Sequence, residues 1–327
     1  MKRILNIIVK VLFPLLFAGG ILWWMYRQVA WADIQQALES DMRWGWMILS
    51  LPFGVLAQVL RATRWRQSLR AIGQPVRLGT SINAVFLSYA SSLLVPRVGE
   101  VLRCGVLRRW DGVRFVEGVG TVVCERVVDM LIILVLTAVT VVVEIPVFAD
   151  FMSRTGMSLV GILQGLTGAG YLVTAVCGLL ILLMGWYLVR RLGVYRRTRE
   201  LWQRLVQGLG SIRLVENKGL FWSRSLGIWL SYYLHFYLTF FCFGFTEDLG
   251  MMCALVAFVV GSFAVLVPTP NGAGSWHFAV KTVLVLYGVG ANEGVLFVLI
   301  VHTIQTLLVA LLGLWAMGAL ALTKEKA

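Results

Sequence analysis

Arg97, Glu100, Arg103, Glu125, Arg126 and Asp129 flank or enter apolar runs of the chain. In a bilayer such groups are expensive, by about 2.5–3.5 kcal/mol each at a helix centre, and they face cavities or partners. On a helix Glu125 and Asp129 share one face a turn apart, and Arg126, three residues before Asp129, is within pairing reach. Two chemistries fit this set. One is an ion-pair network that anchors two segments to each other. The other is a site where Arg97, Arg103 and Arg126 offer planar forks to phosphate oxygens while the carboxylates keep them oriented. Both can hold together. Arg61, Arg64 and Arg66 around Trp65 fit either a basic and aromatic anchor at headgroup level or direct substrate contact. The stretch RRTRELWQR (196–204) fits an anchor on the membrane surface.

Other chemistries lack their residues. His235, His277 and His302 show no helical spacing and would need separate helices to converge, so no metal site is expected. Five cysteines (104, 124, 177, 242, 253) contain no CxxC pair and read as small, buried, reduced side chains. Gly272-Ala273-Gly274 lacks the third glycine and preceding strand of a nucleotide fingerprint, and no Walker motif occurs. No cofactor is expected. His277 has the type to titrate near neutrality, for a proton-coupled step or a headgroup hydrogen bond, and equally the type of a packing histidine.

These residues have to be positioned by a membrane protein. The chain has 327 residues, 59% hydrophobic and only 14% charged, with thirteen tryptophans. Apolar stretches recur at 4–26, 44–60, 127–143, 158–189, 225–246, 251–267 and 294–322, near the roughly 20 residues a spanning helix needs. The hydrophilic stretch 190–218 is too short to bury a core of its own. The start of the chain imitates a secretory signal, yet its apolar run is too long, so it reads as an uncleaved span. The net charge of +13 is read as topology before nucleic acid. Basic clusters at 2–10, 61–77, 97–126, 190–224 and 324–326 hold 25 of the 29 Lys and Arg residues. The positive-inside rule places them, and both termini, in the cytoplasm of a bacterial-type inner membrane.

That placement sets the topology. Segment 78–95 is apolar, rich in Ser, Thr and Asn, and flanked on both sides by basic stretches. It reads as the first arm of a re-entrant hairpin over about 78–110, with Pro96 and Gly99 at its bend. Helix 119–145 goes out, 158–189 returns, 190–218 lies along the inner surface and 220–246 goes out again. Segment 251–289 then reads as a second hairpin entering from outside, so that 294–322 returns Lys324 and Lys326 to the inside. Its bend is 268–275: Pro268 and Pro270 interrupt the helix, while Gly272 and Gly274 permit a tight turn. Irregular backbone at membrane depth is tolerated when it is buried in protein or lines a wet cavity. The expected fold is therefore all-α and polytopic, with about six full spans and two oppositely oriented broken-helix hairpins. Such hairpins suit an inverted repeat with a midplane site.

Four motifs carry a family resemblance: RATRWRQSL (61–69), LLVPRVGEVLR (93–103), CERVVDMLIILVL (124–136) and VPTPNGAGSWHF (267–278). In this order they resemble the transmembrane region of the lysylphosphatidylglycerol synthases and the flippase-like membrane proteins related to them. The family pattern falls on Arg64-Trp65, on Pro96, Arg97, Gly99 and Glu100, on Glu125, Arg126 and Asp129, and on Pro268, Pro270, Gly272 and Gly274. Asn271 stands where a turn glycine is usual, and Asn tolerates left-handed backbone. His277 stands where the family has a glutamate, which puts a carried-over carboxylate role in doubt. The resemblance implies movement of a phospholipid or lipid-linked headgroup between leaflets by one flippase-like domain over 1–327. Arg97, Glu100, Arg103, Arg126 and Arg64 would meet the headgroup, with Glu125, Asp129, His277 and Asn271 in the cavity or in coupling. The chain ends directly after its last helix, so the cytosolic transferase domain of the synthases is not expected, nor is aminoacyl transfer. Expected partners are the bilayer, an anionic phospholipid or lipid-linked substrate, and no nucleic acid. The alternative is a non-transporting subunit or scaffold for a lipid-modifying aminoacyl or glycosyl transferase.

Overall fold

The computed structural model describes residues 19–20, 23, 31–144, 210–267 and 269–325. The chain divides into two compact units, one of residues 1–140 with 205–327 and one of 141–204. Only residues 141–144 of the second are described. The principal helices are α1 (Trp44–Ala71), α2 (Leu78–Ser91), α3 (Val98–Asp111), α4 (Phe115–Val143), α5 (Lys218–Tyr237), α6 (Gly250–Ala264), α7 (Ser275–Leu286) and α8 (Ala291–Ala321). All described elements are helical. Three of them, α1, α4 and α8, are long and apolar enough to cross a membrane. The apolar window of α4 has a mean hydropathy of 2.5 with only 22% of it buried. Such a wall, with Val127, Leu131, Val135 and Val142 outward, is costly in water and suited to acyl chains.

Sequence explains the interior face. Arg61, Arg64, Trp65 and Ser68 follow the i, i+3, i+4, i+7 stripe of a single helical face, and all four are buried. Trp65 and Leu69 pack with Ala84, Val85, Cys104, Leu107 and Val122, joining α1 to α2, α3 and α4. The indole of Trp65 donates to the Thr121 hydroxyl at 2.9 Å, and the Ser81 hydroxyl donates to the Ala62 carbonyl at 2.9 Å, which pairs these buried groups.

Two pairs of short helices pack against each other, α2 with α3 and α6 with α7. The expected bends at Pro96–Gly99 and at 268–275 match breaks in the helices. In the first, Arg97 is left-handed (φ 61°, ψ 0°) and caps α3. Gly99 sits where a Cβ would approach the Ser88 carbonyl oxygen to 1.9 Å, so only glycine lets α3 start this close to the end of α2. In the second, Pro270–Gly272 form a 3-10 turn in which Asn271 is left-handed (φ 50°, ψ 25°), the tolerance expected of Asn there. Gly272 and Gly274 follow at φ 72° and 82°. Pro268 lies outside the described residues.

Two expectations are corrected. Of the two readings of Arg61, Arg64 and Arg66 around Trp65, the headgroup-level anchor does not hold: the stretch 61–70 continues α1 without a break, and six of its ten residues are buried. Trp65 is fully enclosed and does not anchor at headgroup level. The helix expected over 220–246 stops at Tyr237 and tightens to a 3-10 segment, Leu238–Cys242, before extended Phe243. There the Thr239 and Thr246 hydroxyls donate to the carbonyls of Phe236 and Phe240, both at 2.6 Å, local bonds that compete with the helical ladder. Almost all of the span expected at 4–26, the whole of that expected at 158–189, most of the surface stretch 190–218 and Cys177 lie outside the described residues.

Candidate functional site: a charged cavity between two bends

The two bends touch. The Asn271 amide donates to the Ser92 carbonyl at 3.2 Å, and Arg97 Nη2 donates to the Leu266 carbonyl at 2.7 Å. Both acceptors are carbonyls at the C-terminal ends of α2 and α6, which the helices themselves leave unpaired. Beside this contact lies a cavity of about 620 Å³, within the usual range for a small-molecule site. The first bend contributes Ser92, Pro96, Arg97 and Glu100, and the second contributes Val267, Thr269, Asn271 and Gly272. Arg61, Arg126 and Asp129 add charge from α1 and α4, and Tyr232, Phe236 and Phe258 supply aromatic wall.

The charges form one chain of ion pairs. Asp129 receives Arg61 Nη1 at 2.6 Å and Arg64 Nη2 at 2.9 Å. Glu125 faces Arg64 Nε at 3.3 Å, and Arg103 Nη2 at 3.0 Å. The second contact is an ion pair whose angle does not make a hydrogen bond. Arg64 completes its fork on the Ser225 hydroxyl at 3.2 Å, and Arg103 lies 4.4 Å over the Trp65 ring, a cation–π contact. Arg126 pairs chiefly with Glu100, at 2.7 Å, and only distantly with Asp129, at 3.9 Å. The i, i+3 pairing expected within α4 is therefore secondary to a pairing between α4 and α3. Arg61, Arg64, Arg103, Glu125 and Asp129 are buried, and they hold α1, α3 and α4 in register, because removing one partner leaves an uncompensated charge; Arg126 and Glu100 are partly exposed.

The expected site residues separate into layers. Arg97, Glu100, Arg126, Asp129, Asn271, Pro96 and Gly272 line the cavity. Arg64, Arg103 and Glu125 are almost fully enclosed off the lining, where they brace the wall. Gly99, Pro270 and Gly274 are buried in the bends. His277 is buried and off the lining, its ring centroid 4.3 Å from that of His302. His302 in turn meets the Asn271 carbonyl at 3.1 Å, and Asn271 Nδ2 donates to the Thr306 hydroxyl at 2.9 Å. Two of the three histidines thus converge behind the second bend. His235 instead meets the Ser50 carbonyl at 2.8 Å. Among the described residues no group of three or more His, Cys, Asp or Glu side chains is placed to hold a metal.

Sequence reasoning missed several wall residues. Arg61 was left between a headgroup-level anchor and direct substrate contact, and Tyr89, Tyr232, Trp229 and Gln305 were not singled out. The Tyr232 hydroxyl donates to that of Tyr89 at 2.8 Å, and Arg61 lies 5.9 Å from the Tyr232 ring. The available signal was a polar residue inside an apolar helix, Gln305 in α8 above all.

The chain is 27% identical over 284 residues to a UPF0104 membrane protein of Methanothermobacter thermautotrophicus, a match covering 80% of each chain. It is also 32% identical over 89 residues to Glycosyltransferase AglD of Haloferax volcanii, which covers 27% of this chain and 14% of that protein. The lysylphosphatidylglycerol synthase TM region family matches residues 11–313, nearly the whole chain and all four of its motifs, and this membrane protein belongs to that family.

Proposed function

We propose that the protein moves a phospholipid or a lipid-linked headgroup between the two leaflets, with the headgroup in the cavity between the bends and the acyl chains in the bilayer. The observation that carries this is the cavity itself, whose charged residues stand among apolar and aromatic ones, inside a helical membrane protein. In this reading α2–α3 and α6–α7 are re-entrant hairpins that enter from opposite faces. The helix–hairpin–helix order of α1–α4 and of α5–α8 supports an inverted repeat. Residues 1–327 act as one flippase-like domain in the inner membrane, about six helices span it, and both termini are cytoplasmic, in line with the basic clusters.

Reconstitution tests this. Protein in liposomes should accelerate leaflet exchange of a labelled phospholipid, and Arg126→Gln should slow it. No acceleration across anionic, zwitterionic and polyprenyl-linked lipids would refute transport. The match to part of a protein named a glycosyltransferase favours a second reading, a scaffold for a lipid-modifying transferase. Co-purification of such an enzyme, together with no exchange by the isolated chain, would establish that role instead.

A further inference from the structure

Away from the cavity, three arginines gather where α1 ends and α5 begins, and none has a counter-ion. Among the described residues Arg66, Arg70 and Arg224 have no carboxylate within ion-pair distance, whereas Arg61, Arg64, Arg103 and Arg126 each have one. Thr63, Arg66, Gln67 and Arg70 repeat at i, i+3, i+4 and i+7 and so share one face of α1. Offset by two residues, that face is turned about 200° from the buried Arg61, Arg64, Trp65 and Ser68. Arg224 of α5 meets it, with Nη1 donating to Gln67 Oε1 at 2.9 Å and to the Thr63 carbonyl at 3.3 Å. None of the three arginines lines the cavity.

What these groups feel is like charge. The charge acting on Arg224 is that of Arg66, and the charge acting on Arg66 is that of Arg70, one turn away. Glu216, two residues before α5, is exposed and forms no ion pair among the described residues. Bonds to neutral acceptors keep the arginines from swinging apart. Arg66 Nε donates to the Val76 carbonyl at 2.8 Å, and Gln67, which holds Arg224, is itself tied through Nε2 to the Asn217 carbonyl at 2.8 Å. Each bond uses one nitrogen of a guanidinium and leaves the others open. Arg70 is exposed, Arg66 and Arg224 are partly exposed, and no nitrogen of the three is buried without a partner. A ligand can therefore reach them from outside.

Guanidinium groups that are held close, reachable and unpaired match the oxygens of a phosphate, and three of them suit a dianion. From this arrangement we infer that Arg66, Arg70 and Arg224 form a second site, separate from the cavity, for a phosphate monoester dianion. The Nη groups of Arg66 and the free nitrogens of Arg224 take its oxygens, and Arg70 adds charge at the rim. Trp65 is enclosed on the other side of α1, so this is a binding site without an aromatic anchor. It stands whether or not the cavity moves lipid.

The test uses the full chain in detergent micelles at about pH 8, where a phosphate monoester is a dianion. The probes are glycerol 3-phosphate and dioctanoyl phosphatidic acid, the same phosphate chemistry without and with acyl chains. Binding should raise the melting temperature more than sodium chloride of equal ionic strength does. Arg224→Gln should weaken binding about tenfold, and so should Arg70→Gln, which removes no hydrogen bond among the described residues. Gln67→Glu sets a carboxylate beside Arg224 and should abolish binding without lowering the melting temperature. Arg126→Gln, in the cavity, should leave this affinity at the wild-type value. Phosphatidic acid binding more tightly than glycerol 3-phosphate assigns the ligand to a membrane lipid, and binding no more tightly assigns it to a soluble ester; either keeps the site. A response no larger than that to salt overturns the inference, as does wild-type affinity in both Arg70→Gln and Gln67→Glu. Loss of binding in Arg126→Gln alone moves the phosphate to the cavity and overturns it equally.

Discussion

Arg97 reaches from the first bend to the Leu266 carbonyl at the second, at 2.7 Å, from a backbone at φ 61°. A non-glycine residue in left-handed backbone carries a local cost of about 1 kcal/mol or more, and what it gains here is a guanidinium placed at the contact between two hairpins. Among the described residues Arg97 has no carboxylate partner, so its charge faces the cavity uncompensated.

Replacing this residue separates strain from function. Arg97→Gly should relieve the backbone while losing the bond to Leu266, leaving thermal stability within about 1 kcal/mol of wild type. Arg97→Ala keeps the strain and should be the less stable of the two. Both should reduce lipid exchange about tenfold or more. A stable Arg97→Gly protein with full exchange would remove Arg97 from the site.

The enclosed pairs predict a different signature. Glu125→Gln leaves Arg103 in the interior without a carboxylate and Arg64 with Asp129 alone, at a cost of about 3–5 kcal/mol. Adding Arg103→Met should recover part of that loss, since the second substitution removes a stranded charge, and a double-mutant cycle on thermal melts in detergent reads the coupling. Additive losses would mean that the pair is not an energetic unit.

Much of the site was legible because membranes make charge informative. The motifs around Pro96 and Pro270 located both bends, and Arg97, Glu100, Arg126 and Asp129 followed from the cost of charge near apolar helices. Burial within α1 was hidden by a competing rule: Arg64 beside Trp65 has the composition of an interfacial anchor, and only the three-dimensional placement of Glu125 and Asp129 draws it inward. Trp229 stayed silent because its significance is an absent partner, a relation between elements far apart in sequence, whereas Gln305 was marked by its polarity within apolar α8. The convergence of His277 and His302 was missed for the same reason: no spacing rule links the start of α7 to the middle of α8.

Packing at the first bend gives a sharp contrast between two glycines of α3. Gly99→Ala would drive a methyl group to 1.9 Å from the Ser88 carbonyl oxygen, whereas a Cβ at Gly105 meets nothing within 4 Å. Gly99→Ala should force α2 and α3 apart, with a large fall in melting temperature and in exchange. Gly105→Ala should raise stability by about 0.5–1 kcal/mol through helix propensity. Equal melting temperatures for the two would mean that the helices do not approach this closely.

The backbone bond from Asn271 to Ser92 offers a direct test of whether the bends must part during transport. An N–H donating across 3.2 Å brings the two backbones close, and a disulfide accepts Cα atoms about 4.4–6.8 Å apart. The paired substitutions Ser92→Cys and Asn271→Cys should therefore cross-link on oxidation. Among the described residues the native cysteines at 104, 124, 242 and 253 are buried and poorly placed to compete, and Cys177→Ser removes the fifth. If a headgroup passes between the bends, exchange should stop in the oxidised protein and return on reduction, with the reduced form as its own control. Exchange at the reduced rate in fully cross-linked protein would show that the headgroup takes its path along the cavity wall without opening this contact, and would locate the moving element elsewhere.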